Sequence, residues 1–147
     1  MEIFEIITAL EAFCVARGWH FVYGVNQFER NIQSIRDYHP DEVLLIADFR
    51  IDPVYSNNKI VRARYTCLFM LGRKFESAGT SASLDESNMQ KYKNRLKDLM
   101  VLLSAGIQAF ACENELDIIS SPLAVDLNVY DENIDFVISD PTIFEMS

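Results

Sequence analysis

Two apolar runs lying close together in the chain limit its fold more than any other feature. Val43 to Phe49 is apolar throughout except at Asp48, the pattern of a strand covered on both faces. Ile60 to Leu71 alternates instead. Val61, Ala63, Tyr65, Cys67, Phe69 and Leu71 fall on one face, while the other begins with Arg62, Arg64 and Thr66 and turns apolar at Leu68 and Met70. Asp52-Pro53 and Ser56-Asn57-Asn58 supply turn-forming residues between them. The two runs are therefore expected to pair as one long antiparallel hairpin.

A sheet with an apolar face needs a cover, and two helical patterns are available for it. Ile3, Ile6, Ile7, Leu10, Phe13 and Cys14 recur at three- and four-residue steps, which predicts an amphipathic helix from Glu2 to Arg17. Gly18 then stands where a left-handed C-terminal cap belongs. Ser83-Leu84-Asp85-Glu86 has the form of a capping box and opens a second, longer helix to about Cys112. Met89, Tyr92, Leu96, Leu99, Leu103, Ile107 and Phe110 lie on one side of it. Its first half is charged and expected at the surface; Met100 to Ala111 is apolar nearly all round and expected to be embedded.

Shorter elements complete the pattern. Trp19 to Tyr23 reads as an aromatic strand closed by Gly24. Asn26 and Glu29 have capping-box spacing, so a short helix is expected to about Arg36, ended by the turn before Pro40. Gly72 to Ser83 reads as a polar loop of functional length. Leu116–Ser120 and Ala124–Tyr130 read as two strands, or one broken at Pro122. Ile134 to Ser139 is the expected last strand, ended by Asp140-Pro141. The fold class is α+β: a mostly antiparallel sheet with a long hairpin, packed against an N-terminal helix and one long central helix. Residues 1–147 form one domain, a common domain size.

Charge is divided along the chain. Residues 1–112 hold all 13 Lys and Arg against 13 of the 22 acids; residues 113–147 hold nine acids and no base, the whole of the net −9. A base-free segment offers nothing to a phosphate backbone, so nucleic acid is not expected as a partner. Its acids either keep a sheet edge soluble or match a basic partner, including another copy of the chain. Arg62, Arg64, Arg73 and Lys74 are candidate basic contacts, and Asp126, Asp131, Glu132 and Asp135 are candidate acidic ones. Cross-strand ion pairs involving Asp48 and Arg50 are the simpler account of Arg62 and Arg64. If that face is open, it would meet the acidic segment of a neighbour in a head-to-tail contact, which closes into a ring when the rotation allows.

Signs of catalysis are weak. His20 and His39 have no second ligand at metal spacing, and neither H-E-x-x-H, C-x-x-C nor a glycine-rich phosphate loop occurs. Cys14, Cys67 and Cys112 stand in apolar settings and are expected to be inert, reduced core thiols. The acids of the last segment lack the spacing of a calcium loop. No cofactor, metal or catalytic residue is expected, and the chain is expected not to be an enzyme. No apolar run approaches the roughly 20 residues of a membrane span, and Met1-Glu2-Ile3-Phe4-Glu5 carries acid where a secretory signal carries base. A cytoplasmic protein with no membrane partner is expected.

In element order the chain resembles the tail terminator and tail completion proteins of long-tailed bacteriophages. The resemblance runs from Glu2 through Ser139. It rests on the hairpin Val43–Phe49 with Ile60–Leu71, the helix Ser83–Cys112, the size and the acidic charge. The resemblance implies a structural ring protein at the junction of tail and head, working with copies of itself and with other tail or head proteins, and assembled into a virion. An intracellular module binding a different protein is the alternative; an enzyme built from scattered acids and His20 or His39 is a third.

Overall fold

The computed structural model describes residues 3–24, 38, 39, 42–74, 88–126 and 134–146; side chains of residues 88–95, 125 and 126 lie outside that description. The expected helix at Asn26–Arg36 and the capping box at Ser83–Glu86 also fall outside it. In chain order the elements are α1 (Ile3–Ala16), β1 (His20–Tyr23), β2 (Val43–Ser56), β3 (Lys59–Lys74), α2 (Asn88–Glu113), β4 (Leu116–Ser120), β5 (Leu123–Asp126) and β6 (Ile134–Met146).

The strands make one sheet in the order β1-β2-β3-β6-β4, with β5 also paired to β6. Only β1 with β2 is parallel; the described pairings β2–β3, β3–β6, β4–β6 and β5–β6 are antiparallel. The fold is thus α+β, with the long hairpin β2–β3 at its centre. Among the described residues, no helix is long and apolar enough to cross a membrane.

Both described helices cover one face of this sheet. Val43, Leu45, Ala47 and Phe49 of β2, Tyr65, Cys67, Phe69 and Leu71 of β3, and Val137 and Phe144 of β6 form the floor of the main core. Ile6, Leu10, Phe13 and Cys14 of α1, and Leu96, Leu99, Leu103, Ile107 and Phe110 of α2, close over it. Six aromatic rings run edge to face through this core, from Trp19 to Phe13, Phe110, Phe144, Phe69 and Phe49. Their centroid spacings are 5.7–6.2 Å, the range in which ring edges meet ring faces.

Local chemistry sets the ends of the helices. After α1, Gly18 takes φ 71°. Its N–H donates to Val15 O, and the Trp19 N–H reaches back to Cys14 O at 2.9 Å, the paired bonds of a Schellman cap. Trp19 then packs edge-on against Phe13 and lies over α2 at Gly106, where a methyl group would approach Trp19 Cη2 to 3.0 Å. A glycine inside a helix costs about 1 kcal/mol relative to alanine; here it makes room for an indole. The last turn of α2 is tied by Asn114 Nδ2 donating to Phe110 O at 2.8 Å.

Several boundaries differ from expectation. β2 runs through Pro53 to Ser56, because at Pro53 it has a described strand partner only on the β3 side, an edge position that proline tolerates. β3 extends to Lys74, so Gly72, Arg73 and Lys74 belong to a strand rather than a loop; residues 75–83 of that expected loop are outside the described ones. β6 does not end at Asp140-Pro141 but continues to Met146. The cis Asp140–Pro141 pair sits where the β3–β6 register shifts between Cys67 and Phe69, a bulge that leaves both residues opposite Leu68. Across β6, the edge is broken at the same level: β5 pairs with its first half and β4 with its second. Three hydroxyls close the seam, with Ser121 Oγ, Ser139 Oγ and Thr142 Oγ1 lying 2.6–3.1 Å from one another. The second half of α2 lies on the sheet with one side only, leaving Val101, Ala105, Gln108 and Cys112 exposed rather than embedded.

The opposite face of the sheet carries a smaller cluster of Leu44, Ile46, Met70, Ile134 and Phe136, with Val22, Tyr38, Leu68 and Ile138 against it.

Candidate self-association surface

The hairpin is longer than the sheet that holds it. β1 meets β2 only at Leu44–Ala47, and β6 meets β3 only from Arg64 onward. Beyond those points β2 and β3 have each other and no further strand among the described residues, so residues 53–63 form a two-stranded arm. Its tip is tight. Ser56 and Lys59 are paired, and Asn57 and Asn58 take φ 51° and 63°. Positive φ at both central positions is the type I′ arrangement, whose twist matches that of the strands, and asparagine tolerates it better than most residues. Near the tip the register shifts between Val54 and Tyr55, so that Val61 is the extra residue of a bulge.

What the arm presents is apolar. Tyr55, Ile60 and Val61 are 62%, 61% and 58% exposed, and Ile51 at its root is also open. Residues 50–64 carry four bases, Arg50, Lys59, Arg62 and Arg64, against one acid, Asp52.

Charged groups fix the root of the arm on the face away from the helices. Arg62 Nε stands 2.9 Å from Glu145 Oε1, and Arg64 Nε is 3.8 Å from Glu145 Oε2. The Glu145 side chain is only 11% exposed, so its charge is held by two guanidinium groups that remain half in solvent. Thr66 Oγ1 donates to Asp52 Oδ2 at 2.8 Å, and Arg50 Nε lies 3.3 Å from Asp52 Oδ1. The hydroxyl bond first, and then the guanidinium, hold the Asp52 carboxyl below its ordinary range.

These positions sort the residues singled out in the sequence. Arg62 and Arg64 do form cross-strand pairs, but with Glu145 of β6 rather than with Asp48 of β2. Arg73 lies directly opposite Asp135 on the helix-covered face, and Asp135 is buried. Lys74 stands opposite Ile134, and Asp126 pairs through its backbone with Phe136. Asp131 and Glu132 lie outside the described residues. Glu145 lies beyond Asp140-Pro141, where the sequence predicts that the last strand has ended. The signal that would have found it is the alternation of Thr142, Phe144 and Met146 with Ile143 and Glu145.

His20 stacks on Tyr38 with ring centroids 3.8 Å apart, and its Nε2 is 3.4 Å from Glu42 Oε2. The His39 N–H also donates to Glu42 Oε2, and this bond, more than the His20 contact, lowers the Glu42 carboxyl below its usual range. Burial pushes the Cys14 thiol up to about 12 and also raises Cys67 well above the ordinary thiol range. Both are poor nucleophiles at neutral pH, since only the thiolate reacts. Cys112 corrects the expectation of three core thiols: it is exposed on α2. No group of three or more His, Cys, Asp or Glu side chains that would hold a metal ion occurs among the described residues. A small cavity beside Trp19 and Gly106 is lined only by apolar residues, among them Leu10, Leu45 and Ile107.

No protein-family model matches this chain, and no curated protein matches it in sequence.

Proposed function

We propose that this chain is a non-catalytic structural protein that assembles with copies of itself, as a ring component completing a phage or prophage tail or joining tail to head. The observation that carries the reading is the arm. A two-stranded ribbon that leaves its own sheet with three large apolar side chains more than half exposed is poorly explained by the stability of the monomer. Open strand edges recruit other strands. Arg62 and Arg64 are held by Glu145 of the same chain, which leaves the apolar tip with Lys59 and the acids of 113–117 as the two unlike surfaces that a head-to-tail ring requires. The phage assignment within this reading comes from the element order of helix, strand, long hairpin, long helix and closing strands.

Light scattering after size exclusion, together with native mass spectrometry, tests it. The expected result is one closed oligomer at micromolar concentration that falls apart in Ile60→Asp, whose side chain lies outside the core. A monomer at the highest reachable concentration refutes the assembly reading and leaves the arm to a different protein.

A further inference from the structure

The arm needs a landing site, and the molecule offers one edge that matches it. β4 is the outermost strand on the side of the sheet away from β1; it pairs with β6 on one side, and its other side faces no strand among the described residues. Ile118 and Ile119 on it are 37% and 49% exposed, although isoleucine is ordinarily buried. The stretch 113–120 holds Glu113, Glu115 and Asp117 and no base. Asp117 also stands directly opposite Glu145 on β6, and like charges directly opposed across a strand pair are unfavourable. Glu145 has Arg62 and Arg64, but Asp117 has no ion pair among the described residues. The same is true of Lys59 on the arm.

The free edge of the arm reads Lys59-Ile60-Val61-Arg62, two apolar residues with a base at each end. The edge of β4 reads Asp117-Ile118-Ile119. Laid side by side, the apolar pairs coincide in either direction; Lys59 falls opposite Asp117 when the strands run parallel, and Arg62, already held by Glu145 of its own chain, when they run antiparallel. An arm laid against another arm would instead set Lys59 and Arg62 against their own kind. We infer that the β3 edge of the arm, residues 59–63, adds as a strand to β4 of a second copy of this chain, Ile60 and Val61 covering Ile118 and Ile119. The contact uses two unlike surfaces, so each copy has both an arm to give and an edge to receive. The inference rests on the self-assembly reading and names where that assembly is joined.

Engineered disulfides separate the two. In a Cys112→Ser background, which removes the exposed native thiol, Ile60→Cys is mixed with Ile119→Cys and, separately, with Ile118→Cys, so that either strand direction is caught. All three positions are solvent-exposed, and an unchanged urea midpoint verifies folding before mild oxidation. The expected result is a disulfide-linked dimer in at least one mixture, at least tenfold more abundant than in any variant alone, and a ladder of higher multimers when both cysteines share one chain. Cross-linking of Ile60→Cys with itself as efficiently as in the mixtures overturns the seating in favour of arm-to-arm pairing. An oligomer by native mass with no cross-link in either mixture also overturns it while leaving self-assembly standing. A monomer by native mass overturns both.

Discussion

Replacing Phe144 by alanine tests whether the chain beyond Pro141 belongs to the core. Phe144 is fully buried and touches Phe110 of α2 on one side and Phe69 of β3 on the other, at centroid distances of 6.0 and 6.1 Å. Truncating a buried phenylalanine removes its transfer free energy and leaves a cavity, together about 3–5 kcal/mol. Each lost edge-to-face contact carries about 0.5–1.5 kcal/mol of specific interaction within the observed effect. A domain of this size is stable by roughly 5–15 kcal/mol, so the variant loses a large share of it. In urea unfolding, with a slope of about 2 kcal/mol/M, the midpoint falls by about 2 M. Circular dichroism at one fixed protein concentration follows it, so that any association equilibrium is held constant. Phe4→Ala is the control, because Phe4 is 76% exposed on α1 and its loss falls within about 0.5 kcal/mol of zero. Phe110→Leu and Phe144→Leu, combined in a double-mutant cycle, show a coupling of about 0.5–1.5 kcal/mol. A cost below about 1 kcal/mol for Phe144→Ala refutes the placement of β6, since only a loosely attached tail loses a phenylalanine so cheaply.

Three further outcomes follow from the same structure. A thiol reagent at neutral pH titrates one cysteine in the folded protein, Cys112, and all three after unfolding, because Cys14 and Cys67 are buried with raised pKa values; three fast thiols in the native state contradict the core. Asn58→Ala costs about 1 kcal/mol in urea unfolding because it places a Cβ-bearing residue of low left-handed tolerance at φ 63°, whereas Asn58→Gly costs little; equal effects contradict the type I′ tip. Asp52 has a lowered folded-state pKa, so its contribution is present above the unfolded value and lost as pH falls through the folded one. The gap in urea midpoint between the parent and Asp52→Asn therefore narrows as pH drops below about 4; a gap constant across that range contradicts the Thr66 bond.

What could be seen in the sequence was whatever is decided by neighbours in the chain. The Schellman cap at Gly18 needs only a helix and a glycine. The alternation from Ala63 to Leu71 sorts itself between the two faces without knowledge of β6. The break at Pro122 was likewise visible. The remainder depends on partners remote in sequence. Asp140-Pro141 is a strong local stop, overridden because β6 bulges there, setting both residues opposite Leu68 of β3, and β4 and β5 divide the far edge between them. Pro53 reads as a turn until it is known that β1 stops short and leaves it at an edge. Cys112 looked buried because the upper half of α2 is apolar all round, and only the position of the sheet decides which side is covered. For the candidate surface, Arg62 and Arg64 were legible as bases, but the exposure of Tyr55, Ile60 and Val61 and the pairing of the two arginines with Glu145 were not, since both depend on where β1 and β6 stop.

The arm also has a mechanical meaning. Its two strands are not appended to the rim of the sheet; they are the outward continuations of β2 and β3, the central pair, each flanked deeper in by another strand. A force applied at Asn57 and Asn58 along the ribbon is therefore delivered lengthwise into the middle of the sheet. It loads the hydrogen bonds to β1 and β6 in shear, so that many must fail together, rather than peeling them one at a time from an edge. A protein gripped by this arm would be gripped by its spine.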